Sequence, residues 1–173
     1  MKTRTTTTVP FRRRKEKKTN FCKRLAYIKS KLPRATVRIS NKFIMVQIIK
    51  YMKTGDETIA SATSKELSDF GWNTSKKNIP SAYLTGMLCG KRAKEKGENK
   101  SILDIGFHSK VKGARIFAAA KGVKDAGIEI NISEESMPKE KRIKGKHISE
   151  EIEKNFDETK KNIIEKVSYN AKK

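Results

Sequence analysis

The chain has 173 residues, of which 35% are hydrophobic and 35% charged, and its 41 Lys and Arg against 19 Asp and Glu leave a formal charge of +22. That length suits one domain with an extension or two, and that hydrophobic content cannot bury the whole chain in one core. Self-repulsion at this charge opposes a compact state unless a polyanion neutralises it, either a nucleic acid or an anionic membrane surface.

The sequence favours nucleic acid. No apolar run approaches the ~20 residues needed to cross a bilayer. The N-terminus shows no apolar signal core followed by a small-residue cleavage site, so export is not expected. Cys22 and Cys89 stand alone, without a C-x-x-C pair, which fits a reducing, cytoplasmic setting and argues against zinc. The charge is also focused. Residues 1–50 carry 16 Lys or Arg against the single acid Glu16, over half of the net charge, while residues 51–131 and 132–173 are only mildly basic. A focused basic region is an electrostatic footprint for phosphates, because each neutralised phosphate releases counterions.

Residues 1–11 lack periodicity and read as an extended tail. The run Arg12-Arg13-Arg14-Lys15-Glu16-Lys17-Lys18 follows. Phe21, Leu25, Ile28 and Leu32 then recur at helical spacing, a narrow apolar stripe on a cationic helix that Pro33 stops. Such a helix would lie between protein and polyanion. Three arginines in a row, whose planar forks suit phosphate, favour RNA contact over a merely solvated face.

Three strands are predicted next. Ala35, Val37 and Ile39 alternate with Thr36, Arg38 and Ser40 in a first strand running to Asn41. After a tight turn at Asn41-Lys42, Phe43 to Tyr51 is nearly continuous apolar and β-branched, a central strand. Thr54-Gly55-Asp56 turns the chain into a third strand, Glu57 to Ala62. Thr63-Ser64-Lys65-Glu66 has the pattern of a capping box opening a short helix. A longer helix begins near Asn78, with Pro80 in its first turn, Tyr83, Leu84, Met87 and Leu88 on its buried face, and Gly97 at its end. Ser101 to Phe107 is a fourth strand, Ala114 to Ala126 a helix ended by Gly127, and Ile128 to Ile132 a short fifth strand. Strand, helix, strand in this order implies parallel pairing through crossovers. Residues 133–147 are polar, with Pro138 and mixed Lys and Glu, and read as a linker. From Ser149 a last helix carries Ile152, Phe156, Ile163 and Val167 on a thin stripe, with acids early and lysines late. It is expected to dock on a neighbour or an RNA-bound surface.

A three-strand meander followed by β-α-β resembles the ribonuclease H-like arrangement. A nuclease on such a sheet would hold two metal ions with carboxylates, one of them on the first strand. The first strand here has no Asp or Glu, and Asp104 on the fourth has no evident carboxylate partner, so local pairing is the expected role of Asp104. His108 and His147 are too few and scattered for a metal site or proton relay. Gly106, Gly113 and Gly122 match neither the P-loop nor the dinucleotide fingerprint. No catalytic residue, metal, cofactor or small-molecule substrate is expected. Tyr27 and Trp72 are candidates for stacking on bases, with core burial of Trp72 at least as well supported.

Six stretches in order carry a resemblance: RRRKEKKTNF at 12–21, VRISNK at 37–42, IASATS at 59–64, YLTG at 83–86, LDIG at 103–106 and GARIFAAAKG at 113–122. Over residues 9–132 the chain resembles the universal large-subunit ribosomal protein family that binds 5S ribosomal RNA, number eighteen in the universal naming, in its archaeal form. Residues 133–173 fit the extension of archaeal members by position and mixed charge. The resemblance implies a three-layer α/β domain of ribonuclease H-like form with a mixed sheet of order 3-2-1-4-5. It divides the chain into a basic arm and helix (1–33), an α/β RNA-binding core (34–132), and a linker with a C-terminal helix (133–173). It also implies a place in the cytoplasmic ribosome, in the central protuberance of the large subunit, against 5S rRNA, 23S rRNA and neighbouring ribosomal proteins. The RNA-binding residues it implies are Arg12, Arg13, Arg14, Lys15, Lys17 and Lys18 in the arm and Arg24 on the helix behind it. Arg38, Ser40, Asn41 and Lys42 in the first hairpin join them, with Lys110, Lys112 and Arg115 before the last core helix. The loop His108 to Lys112 is a departure, because family members vary there. Two other readings remain at this point: an RNA-processing nuclease, which would cleave RNA with metal, and a general nucleic-acid chaperone, which would bind unrelated duplexes equally well.

Overall fold

Pro33 ends the N-terminal helical segment, and the chain then runs into β1 (Arg34–Ile39), β2 (Ile44–Met52) and β3 (Gly55–Thr63). The computed structural model describes residues 9–16 and 18–170, with side chains through residue 166. Residues 1–8 of the tail expected over residues 1–11, Lys17, and the side chain of Val167 lie outside the described residues. β1 pairs antiparallel with β2, and β2 with β3, as the alternation and turn signals require. β4 (Lys100–Asp104) lies parallel to β1 on its other side, and β5 (Glu129–Ile130) parallel to β4, so the sheet order is β3-β2-β1-β4-β5. This is the expected mixed sheet. Its last two strands are shorter than the apolar pattern suggests; at β4, Gly106, at φ +62°, turns the chain away two residues after the strand.

One face of the sheet carries α3 (Ile79–Glu95) and α4 (Arg115–Asp125). The Asn78 side chain accepts the Ser81 N–H at 2.8 Å to cap α3, and Pro80 occupies its first turn. Every residue from Pro80 to Gly90 is buried, a helix enclosed on all sides rather than amphipathic. The two helices touch backbone to backbone. A Cβ on Gly86 would stand 2.0 Å from the Ala119 carbonyl oxygen, and one on Gly122 would stand 2.1 Å from that of Tyr83. Thus the glycines and alanines of YLTG and GARIFAAAKG serve a helix crossing, and Gly122 cradles no phosphate. Beneath this crossing lie Ala35, Val37, Val46 and Ile48 of the sheet, all fully buried. Trp72 is core as well, and its indole N–H donates to the Ser75 carbonyl. Cys89 is buried here, and that burial pushes its thiol up to about 12.

Between β3 and α3, Glu66–Phe70 forms a 3-10 helix. Glu66 supplies one half of the expected capping box, accepting from the backbone N–H and the hydroxyl of Thr63, each at 2.9 Å. Its other carboxylate oxygen meets Arg92 of α3 at 2.7 Å. Burial raises the Glu66 pKa, but Arg92 and Thr63 outweigh it and hold the carboxyl below its ordinary value.

Two expectations are corrected beyond β5. Residues 133–147 are not a bare linker: a 3-10 turn (Glu134–Ser136) and α5 (Glu140–Ile143) occupy them, and Pro138 and Ile143 are buried. Two apolar anchors suffice to pin a segment whose average composition is polar. The final helix α6 (Glu150–Asn170) docks on its own chain, against α3 and the 3-10 helix. Phe156 and Ile163 are buried, with the Phe156 ring 5.5 Å from that of Tyr83. Asn162 and Lys166 donate to the carbonyls of Phe70 and Asp69.

Candidate nucleic-acid interface

The opposite face of the sheet is built from the polar half of the β1 alternation: Arg34, Thr36 and Arg38. Register sets their neighbours, since Thr36 stands beside Gln47 on β2 and beside Asp104 on β4. Over this face lies α2 (Phe21–Lys29), preceded by the single turn α1 (Arg12–Lys15). Asn20 caps α2 by accepting the Lys23 N–H at 3.1 Å. The helix has no buried residue, and Phe21 and Leu25 are 42% and 54% exposed. Phe21, Leu25 and Leu32 of the expected docking stripe therefore face outward, and Ile28 is half-buried. It is the adjoining face, with Arg24 and Tyr27, that looks onto the sheet.

What holds α2 there is a chain of alternating charges. Arg24 meets Asp56 at 2.9 Å, and Asp56 takes Arg34 at 2.7 Å. Arg34 reaches Asp104 at 3.5 Å, and Asp104 takes Arg38 at 3.0 Å. The chain ties α2 to β3, β1 and β4 in turn. Asp104 also accepts the Gly106 N–H at 2.8 Å, and its backbone carbonyl accepts from Arg38 at 3.0 Å. A Cβ on Gly106 would lie 3.2 Å from the Arg38 guanidinium, so a glycine there leaves room for it. This gives LDIG a physical meaning: its Asp fixes two arginines and its Gly makes space for one. A carboxylate gripped by two guanidiniums is poorly placed to hold a catalytic metal.

Between α2 and the sheet opens a cleft of about 250 Å³. Six cations line it (Arg13, Lys18, Lys23, Arg24, Arg34 and Arg38) against two acids, Asp56 and Asp104. Both acids are already engaged, so the cleft keeps a surplus of positive charge. Arg34 is nearly buried and its Nε has no hydrogen-bond partner. Tyr27 and Phe107 supply aromatic surface at the same opening. Burial, and after it the Asp104 carboxylate, raises the Tyr27 phenol pKa, so the ring stays neutral.

The arm folds toward this cleft. Arg13 donates to the Thr19 hydroxyl at 3.0 Å. Glu16, the single acid of residues 1–50, takes Lys18 at 2.7 Å and Arg12 at 2.8 Å, and these two contacts lower its pKa. Both pairs are exposed and easily exchanged for phosphate. Arg14 and Lys15 are exposed. The structure thus brings Arg13, Lys18, Arg24 and Arg38 to one opening. Ser40, Asn41 and Lys42 stay outside it: the Ser40 hydroxyl closes its own turn, donating to the Phe43 carbonyl, while Asn41 and Lys42 are exposed. Lys110, Lys112 and Arg115 also lie elsewhere, with Lys112 paired to Glu135 at 3.0 Å and Arg115 donating to the Lys77 carbonyl at 3.1 Å. The sequence reading missed Lys23, Arg34, Asp56 and Phe107. Only Arg34 carried a usable signal, since it shares the alternation of Thr36 and Arg38.

A mixed sheet with a cation-rich cleft, its carboxylates tied to arginine, has the charge and shape that suit a polyanion. The comparisons sharpen this reading. The model of a family described as ribosomal large subunit proteins 60S L5 and 50S L18 matches residues 6–100. The chain is 52% identical over 146 residues to large ribosomal subunit protein uL18 of Korarchaeum cryptofilum, covering 84% of this chain and 75% of that protein. It is 49% identical over 143 residues to the uL18 of Aeropyrum pernix, covering 82% and 67%. With the uL18 of Methanobrevibacter smithii it shares 41% identity over 91% of this chain and 94% of that one. The chain belongs to this family of large-subunit ribosomal proteins.

Proposed function

We propose that the chain binds 5S rRNA and helps attach it to 23S rRNA in the central protuberance of the large subunit, as a structural component without catalytic activity. The observation that carries this reading is the cleft under α2, where six cations from the arm, α2 and β1 face one opening. Arg13, Lys18, Lys23, Arg24 and Arg38 take phosphates, and Tyr27 or Phe107 takes an unstacked base. Arg12, Arg14, Lys15 and Lys17 extend the grip along the arm. Asn41 and Lys42 at the hairpin tip, with Lys110 in the loop after β4, offer further exposed contacts. The family resemblance supplies the identity of the RNA.

The test is binding of the full chain and of a chain lacking residues 1–20 to 5S rRNA at physiological salt, with an unrelated duplex as competitor. The proposal expects the shortened chain to bind 5S rRNA more weakly, with a shallower salt dependence, and expects the full chain to prefer 5S rRNA over the duplex. Equal affinity with and without the arm contradicts the arm's role. Equal affinity for both RNAs favours a general chaperone, and metal-dependent cleavage of the RNA would restore the nuclease reading.

A further inference from the structure

A second cationic cleft, of about 470 Å³, opens in the helix layer, where the starts of α3 and α4 meet α5 and the turn after it. Lys112 and Arg115 come to it from the loop and first turn of α4, and Arg142 and His147 from the segment after the sheet. No carboxylate lines it. Arg142 is exposed and has no side-chain hydrogen bond or ion pair among the described residues, and its Nη1 lies 3.9 Å from where a Cβ on Gly113 would stand. The Gly113 N–H donates to the Ser136 carbonyl at 3.0 Å, which fastens this loop to the C-terminal segment. Lys112 is held only by Glu135, an exposed pair that gives way cheaply. Val111 and Ile148 line the same opening and remain 59% and 51% exposed.

We propose that this second cleft binds the phosphodiester backbone of ribosomal RNA, with Arg142 and Arg115 on phosphate, His147 within reach of a ribose or phosphate oxygen, and Val111 and Ile148 against the sugar. The assignment rests on the reading of the chain as an rRNA-binding protein. It goes further by giving the segment after residue 132, outside the stretch the family model matches, an RNA contact of its own. RNA fits better than an acidic peptide. A backbone with one negative charge per nucleotide matches a lining of cations in which Glu135, paired to Lys112 from outside, is the nearby acid, and Arg142, unpaired among the described residues, has its planar fork free for a phosphate. The two clefts are also neighbours along the chain. Gly106 and Phe107 line that one, Val111 to Arg115 line this one, and exposed Lys110 stands between them in the chain.

Arg142 is exposed, so its replacement leaves the fold intact. Full chains carrying Arg142→Ala or Arg142→Glu are titrated with 5S rRNA and, separately, with 23S rRNA at several salt concentrations. Against at least one of the two RNAs, Arg142→Ala should weaken binding and make the log–log salt slope shallower by ~0.7–0.9, the signature of one lost phosphate contact. Arg142→Glu should weaken it further. Wild-type affinity and slope for both RNAs with Arg142→Glu overturns the proposal, as does weaker binding with an unchanged slope. Loss of a neighbouring ribosomal protein, with both RNAs bound normally, would make the cleft a protein site and overturn it equally. The chain lacking residues 1–20 runs in parallel: normal 5S binding by it would break the arm assignment, and leave this one standing.

Discussion

The two faces of the sheet are covered by different physics. On one, α3 and α4 meet backbone to backbone at Gly86 and Gly122 over a dry core. On the other, α2 buries no residue and is tied down through Arg24, Asp56, Arg34, Asp104 and Arg38. Close-packed apolar contact is stiff and indifferent to salt. The ionic layer runs from the buried Arg34–Asp104 pair out to the half-exposed Arg24–Asp56 pair and the exposed pairs of the arm, and the pairs nearest solvent are weak, screened and exchangeable. A protein that must present cations to a polyanion gains from this division: a rigid layer fixes the sheet, and the sheet holds an ionic layer whose partners can be traded for phosphate.

The largest expected effect tests the packed side. Gly86→Ala puts a methyl group within 2.0 Å of a carbonyl oxygen that belongs to a buried helix. Overpacking of this kind should cost about 3 kcal/mol or more, independent of salt, as read by urea unfolding. Next comes Asp104→Ala. It leaves Arg34, 10% exposed at its side chain, with Asp56 as its carboxylate partner, removes the carboxylate from Arg38, which keeps its two backbone carbonyls, and takes the acceptor from the Gly106 N–H. Removing one member of a buried pair strands the other, so a loss of about 2–3 kcal/mol is expected, together with weaker RNA binding. Arg24→Ala should cost less, ~0.5–1 kcal/mol at low salt, and that cost should vanish near 1 M salt. A salt-independent cost at Arg24 would erase the distinction between the two faces.

The smallest effect concerns pH. The folded-state pKa of Glu66 lies below its ordinary value of 4.5, so its contribution is full above that value and is lost as pH falls through the lowered one. Glu66→Gln should therefore be less stable than wild type at pH 7, and the gap should close on acidification below about 4.5. A gap that widens in acid would mean that the contacts to Thr63 and Arg92 do not favour the carboxylate.

Much of the fold was legible in the sequence because period and punctuation agreed. The β1 alternation, the turn at Asn41-Lys42, the Asn78 cap and the buried face of α3 all follow from local chemistry. Two places misled. At α2 the apolar spacing of Phe21, Leu25 and Ile28 suggested a docking face, but charge pairing to Asp56 turned the helix, an interaction 32 residues away that no local pattern encodes. At 133–147 the polar average hid Pro138 and Ile143. Of the site, the arm and Arg38 were readable as charge and Arg34 from its place in the β1 alternation, whereas Asp56 and the convergence on one cleft depend on register.

The central claim is that the cleft under α2 grips RNA through its cations. The direct test is the salt dependence of 5S rRNA binding by wild type and by the triple variant Arg13→Ala, Lys18→Ala, Lys23→Ala, none of which belongs to the ion chain that holds α2. Three lost phosphate contacts should make the slope shallower by ~2–3 and weaken binding most at low salt. An unchanged slope with unchanged affinity would mean that the RNA lies elsewhere on the protein.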